Sequence, residues 1–121
     1  IFESDFNPKR LLGFIEKFHL SNVGINYDSG NSASLGFDSD EEFSTYGIWI
    51  KNCHLKDRII GGSTVEFGKG HTDFKKVLSN FKKINYKNNF IIQGARANDS
   101  KHLELLDNYR EFIYEILNNG I

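Results

Sequence analysis

Short apolar runs with a period of two alternate along the chain with longer runs of helical period, and this alternation predicts its elements. "IFE", residues 1–3, reads as the end of a strand. "PKRLLGFIEKFHL" sets Leu11, Leu12, Phe14, Ile15 and Phe18 at helical spacing, with Pro8 near the start, where its missing N–H leaves no bond unmade. "NVGINYD", residues 22–28, alternates Val23, Ile25 and Tyr27 with smaller or polar residues, as a strand does. The Ser-, Gly- and Asn-rich "SGNSASLGF" predicts a loop, followed by a short helix near "SDEEFSTYG". A third strand is expected over residues 52–55, then a long loop ending in "GKGHTD", where Thr72 or Asp73 caps the helix "FKKVLSNFKKI". "NFIIQ", residues 89–93, is the fourth strand. A last helix is expected from about Lys101 to Asn118, with Leu103, Leu106, Tyr109, Phe112, Ile113 and Ile116 as its buried stripe.

Four strand–helix units of roughly 30 residues imply an α/β chain with a parallel sheet and right-handed crossovers. Residues 1–121 show no linker and no low-complexity segment, so one domain is expected. A small doubly wound sheet and half of a TIM (β/α)8 barrel both fit that count. Strand parity separates them. Val23, Ile25, Tyr27, Cys53, Leu55, Phe90, Ile92 and Phe2 share one apolar side of their strands. The other side carries Glu3, Asp28, His54 and Gln93, one at the C-terminal end of each strand. A doubly wound sheet is covered on both faces and wants apolar residues on both. A barrel turns one face inward, where polar strand ends converge on a site at the carboxyl rim. The expected fold is therefore four C-terminal βα units of a barrel.

Composition narrows the partners. A net charge of −1 leaves no basic footprint for nucleic acid. No apolar run approaches the length of a bilayer span. The single Cys53 excludes an internal disulfide framework and fits a reducing, cytoplasmic setting. The sequence contains no methionine and no signal-peptide pattern, which predicts a fragment of a longer polypeptide. Four parallel strands do not close a barrel alone, so either four more precede Ile1 or two copies pair as a homo-oligomer.

"INYDSGN", "CHLKDR", "GGSTVEFGKGHTDF" and "FIIQGAR" together resemble the sugar-phosphate isomerase/epimerase superfamily, the xylose isomerase-like barrels. They look closest to its hexulose-phosphate and xylulose-phosphate branch. The resemblance covers essentially the whole chain as the second half of the barrel. It implies a divalent metal held by strand-end residues: Glu3, Asp28 and His54 match three of the family's ligands. Gln93 falls where the fourth, a glutamate, is expected.

The chemistry this implies is proton abstraction next to a carbonyl through an enediolate, whose oxygens need electrostatic stabilisation. Mixed oxygen and nitrogen ligation suits Mn²⁺, Co²⁺, Mg²⁺ or Zn²⁺. Glu3 is the expected base; an amide such as Gln93 carries no protons at useful pH. Lys56 shares the inward face with His54 and is placed to stabilise the oxyanion. Asn31 is placed for a substrate hydroxyl, and Asp57 to orient His54 or pair with Lys56. Arg58 and Arg96 on neighbouring loops, with Ser63 in "GGST", suit the phosphate of a sugar-phosphate substrate. Singly, a strand-end carboxylate is an ordinary turn residue and a lone histidine a hydrogen-bonded structural one; the case rests on four at equivalent strand ends. Asp73 reads as a helix cap, His71 as an exposed loop residue, and Phe43, Tyr46 and Trp49 as packing; His19 and His102 sit on helical segments and carry no signal. Two other activities stay open: a lyase or hydrolase of the same superfamily, inosose dehydratase-like or endonuclease-like, and a sugar-phosphate-binding barrel without catalysis.

Overall fold

A computed structural model describes residues 1–121. The first four α-helices each begin where the sequence supplies a side-chain acceptor for their first free N–H groups. Asn7 accepts from Arg10 N ahead of α1 (Pro8–Ile15), with Pro8 at the first helical position. Asp28 ends strand β1 (Ile25–Asp28) and caps α2 (Ser29–Ser34). Asp38 caps α3 (Ser39–Tyr46), which a single 3₁₀ turn, Gly47–Trp49, joins to β2 (Ile50–Leu55). A two-residue hairpin follows, β3 (Asp57–Arg58) against β4 (Thr64–Val65). Asp73 then caps α4 (Phe74–Lys83), and β5 (Phe90–Ile92) precedes α5 (His102–Asn119).

The main sheet is parallel, in the order β1-β2-β5. Phe2 extends it by bridging Ile25 in parallel, with Phe2 N donating to Gly24 O (2.8 Å) and Asn26 N to Phe2 O (2.7 Å). The four segments thus lie side by side in chain order, with no reversal. A doubly wound sheet reverses its order; consecutive addition in one direction is how a barrel wall grows.

The face predicted to be apolar carries the core. Tyr27, Phe43 and Phe81 meet edge to face, with centroids 4.7–5.7 Å apart, and Cys53 and Leu55 are fully buried beneath them. A second aromatic group stacks Phe67 on Tyr109 at 4.3 Å, with Phe74 and Phe112 closing around it. Phe43, Tyr46 and Trp49 are buried packing residues, as expected. Inside the core, Glu42 accepts from Tyr27 Oη (2.9 Å), Ser32 Oγ (2.6 Å) and Tyr46 Oη (2.9 Å); burial nonetheless raises its pKa above the ordinary carboxylate range.

Several expectations need correction. The stretch after Asp28 is helical over Ser29–Ser34, because Asp28 supplies the cap that its polar composition conceals. The long loop after β2 contains the β3–β4 hairpin. The first helix stops at Ile15, leaving Phe18 and His19 outside it. Leu103 (81 % exposed) and Leu106 (45 %) do not join the stripe of Tyr109 and Ile113. Leu105 packs on the core in their place, so the buried stripe of α5 runs through Leu105, Tyr109, Phe112, Ile113 and Ile116.

Candidate metal centre

Strand register brings the inward side chains together. Asp28 pairs with His54 and Asn26 with Asn52 across β1 and β2, while the bridge at Phe2 sets Glu3 beside Asn26. One ligand atom each from Glu3, Asp28 and His54 lies within 4.8 Å of the others. His54 Nδ1 stands 3.6 Å from Glu3 Oε2 and 3.9 Å from Asp28 Oδ2. Ligands of a single small divalent ion, each bonded at about 2.0–2.2 Å, stand up to about 4.4 Å apart.

Asp28 uses its two oxygens differently. Oδ1 accepts from Asn31 N (2.9 Å) and starts α2. Oδ2 is buried and receives no aligned hydrogen bond, although Lys56 Nζ approaches to 2.8 Å as an ion pair. A buried carboxylate oxygen facing a second carboxylate and an imidazole nitrogen fits a divalent cation. Lys56 Nζ supplies the positive charge beside that oxygen in this structure.

The Lys56 stem crosses α2 at Gly30, where a Cβ would meet Lys56 Cγ at 2.7 Å and Cβ at 2.8 Å. The Lys56 backbone is fixed as well: Ser29 Oγ donates to its carbonyl (2.8 Å) and accepts from its N–H (2.9 Å), and Thr72 Oγ1 donates to the same carbonyl (2.9 Å).

Glu3 is 39 % exposed, yet both its oxygens are held. Asn31 Nδ2 donates to Oε1 (2.8 Å) and Asn26 Nδ2 to Oε2 (2.5 Å). Asn31 Oδ1 in turn accepts from Arg58 Nη1 (2.8 Å). The remaining contacts of the Arg58 guanidinium go to Gly62 O, from Nε (3.2 Å) and Nη2 (2.7 Å). Arg58 therefore braces Asn31 and the 59–63 loop. Ser63 on that loop is exposed.

Gln93 follows β5 one residue beyond Ile92, which pairs with Leu55; it is exposed, and its N–H donates to Leu55 O (2.9 Å). Arg96 is exposed and lines a cavity of about 280 Å³ against α5 with Gly94, His102 and Tyr109, sharing no residue with the Glu3–Asp28–His54 group.

Asp57 neither touches His54 nor pairs with Lys56. It is fully buried and accepts from Gly68 N (2.9 Å), Gly70 N (2.9 Å) and Thr72 N (3.0 Å), which folds the "FGKGHT" segment around its carboxylate. A Cβ at Gly70 would collide with Asp57 Oδ1, so glycine is required there. His71 is exposed as expected, but its Nδ1 accepts from Ile60 N (3.1 Å) and ties the same segment to the 59–63 loop.

Two site residues were not singled out by sequence reasoning. Asn26, buried, contacts Glu3 and His54 together, and Asn52 Nδ2 donates to its Oδ1 (2.8 Å). Strand parity placed both on the inward face, which was the available signal.

A family model described as "Xylose isomerase-like TIM barrel" matches residues 2–113. Among solved structures, a xylose isomerase domain protein from Planctomyces limnophilus superposes with a TM-score of 0.79 at 20 % identity, over 94 % of this chain and 45 % of its own. A D-tagatose 3-epimerase-like protein superposes with a TM-score of 0.65 at 28 % identity, over 92 % of this chain and 43 % of its own. The chain spans less than half the length of either structure. No curated protein matches it.

Proposed function

The chain belongs to the xylose isomerase-like TIM barrel family, and from that premise we propose that it is the metal-binding half of a sugar or sugar-phosphate isomerase or epimerase. The observation that carries this reading is the convergence of Glu3, Asp28 and His54 on one point, with a buried Asp28 oxygen left without an aligned donor. Glu3, Asp28 and His54 would hold the ion, with Gln93 as a fourth donor. Held there, a divalent cation would supply Lewis-acid chemistry toward a substrate's oxygens.

Glu3 is the proton carrier. One carboxylate oxygen takes the proton from the carbon next to the carbonyl; the C–H electron pair forms the enediolate double bond, and the carbonyl oxygen takes the negative charge. Each Glu3 oxygen accepts one amide hydrogen bond and keeps lone-pair capacity for that proton. Returning the proton to the former carbonyl carbon, while the hydroxyl proton passes to the former carbonyl oxygen and the hydroxyl oxygen becomes the new carbonyl, completes an aldose–ketose isomerisation with one base at carbon. Epimerisation at a single carbon wants a second proton carrier on the opposite face, which the Gln93 amide does not supply. Lys56 faces the developing oxyanion once its ammonium leaves Asp28. Asn31 reaches a substrate hydroxyl from the start of α2. Ser63 and Arg96, both exposed, are the groups for a phosphate, and Arg58 serves the same loop by bracing Gly62.

Replacing Glu3 with glutamine tests the assignment. Turnover of sugar phosphates should fall by at least two orders of magnitude, the usual contribution of a general base. The circular dichroism spectrum should stay that of the parent. Retained activity with an intact fold would remove Glu3 from the chemistry.

A further inference from the structure

Asn26 touches two of the three proposed ligands at once and is itself held from the third side. Its Nδ2 donates to Glu3 Oε2 (2.5 Å) and stands 3.2 Å from His54 Nδ1. Its Oδ1 accepts from Asn52 Nδ2 (2.8 Å). These contacts fix which end of the amide faces inward. A carboxylate accepts hydrogen bonds and donates none, so the NH₂ end must face Glu3. The same nitrogen meets His54 Nδ1, and an NH₂ group has only hydrogens to offer. Nδ1 must therefore carry a lone pair, and the neutral imidazole carries its proton on Nε2.

That lone pair belongs to the ring nitrogen nearest the two carboxylates, 3.6 Å from Glu3 Oε2 and 3.9 Å from Asp28 Oδ2. We propose that Asn26 is a positioning residue of the metal centre: its amide holds His54 in the Nε2–H tautomer, which keeps Nδ1 unprotonated, and fixes the ligand oxygen of Glu3. Asn52 supports it by holding the amide's oxygen. An ion bound at Nδ1 would replace that contact and leave the Asn26–Glu3 hydrogen bond in place. This inference rests on the metal-binding reading above and adds to it a tautomer choice made by a residue that does not bind the ion.

The test has two readouts. Long-range ¹H–¹⁵N correlation spectra of the ion-free chain report the tautomer of each neutral histidine, and the chain has four to assign. The parent should show His54 protonated on Nε2, and Asn26→Asp, which puts an acceptor against Nδ1, should lose that pattern. A parent His54 protonated on Nδ1 overturns the proposal without any variant having to fold. Titration with Co²⁺, followed by its visible absorption, gives the second readout. Asn26→Ala should weaken Co²⁺ binding by about 10- to 100-fold and change the band shape, as expected when a group that orients metal ligands is lost. A folded Asn26→Ala with the parent's affinity and spectrum overturns the role of Asn26 alone. A parent that binds no Co²⁺ overturns the metal-binding reading and this inference with it.

Discussion

Replacing Lys56 with methionine keeps most of the side chain's length and removes its charge. The Asp28 carboxylate it leaves is only 1 % exposed, and Lys56 itself is 15 % exposed, so the pair is largely shielded from water. At 2.8 Å the attraction is about 6 kcal/mol for an effective dielectric constant of about 20. Removing one partner of a buried pair typically costs about 3–5 kcal/mol, because the other charge stays buried without its counterion. The partial exposure of Lys56 puts this case at the lower end, about 3 kcal/mol. For a chain of 121 residues the unfolding entropy is about 0.25 kcal/mol/K, so the melting temperature should fall by roughly 12 °C in the presence of a chelator. A divalent ion bound by Asp28 replaces the missing charge. Saturating Mn²⁺ should therefore bring the variant close to the loaded parent. By linkage, the same 3 kcal/mol appears as an ion affinity raised by about two orders of magnitude. Thermal unfolding by circular dichroism with chelator and with Mn²⁺, together with calorimetric titration, measures both quantities. Equal losses of melting temperature in the two conditions, with unchanged affinity, would refute the view that Lys56 and the ion share Asp28.

Two further predictions concern the supports of the site. Burial raises the pKa of Glu42 despite its three hydroxyl donors, so its proton is held more tightly in the folded chain than in the unfolded one. Its stabilising contribution is thus complete below the unfolded value, about 4.3, and is lost as pH rises through the raised folded value. Glu42→Gln should gain stability relative to the parent at neutral pH, and the gap should close on acidification; urea titrations giving a gap independent of pH would contradict this. Asp57→Asn turns an acceptor of three N–H bonds into a group with one acceptor end, at a cost of about 3 kcal/mol. Amide exchange at Gly68, Gly70 and Thr72 should accelerate, and unchanged protection there would show that Asp57 does not organise the segment.

The parts of the fold legible in the sequence were those with a repeating physical cause. The parity of Ile25 and Tyr27 against Asn26 and Asp28 was enough to separate core from interior, because a strand has one geometry and two faces. Asp73 was legible as a cap because an apolar helix follows it directly. Asp28 was not, because "SGNSAS" has no apolar stripe and α2 is buried chiefly at Ser29 and Gly30. The hairpin escaped because two-residue strands carry no periodicity, and the segment after it is gathered by Asp57 through three N–H groups distant in sequence. Leu106 has the spacing of a buried stripe, but so does Leu105, and spacing alone does not choose which of the two faces the core.

The site was legible in its charges and illegible in its amides. Glu3, Asp28, His54 and Lys56 announce themselves by residue type, whereas Asn26 and Asn52 acquire roles only through partners on other strands, and Asn31, singled out for a substrate hydroxyl, also turns to Glu3. Those amides have an electrostatic consequence. They orient Glu3 without adding charge, so in the proposed reading two negative ligands balance one divalent ion, and a Gln93 ligand leaves that balance unchanged. Lys56, displaced from Asp28 by the ion, is then a surplus positive charge on the inner face. A carboxylate at position 93 would cancel it and provide a second proton carrier. The amide does neither, which favours a site that stabilises an anionic enediolate and moves protons through Glu3 alone.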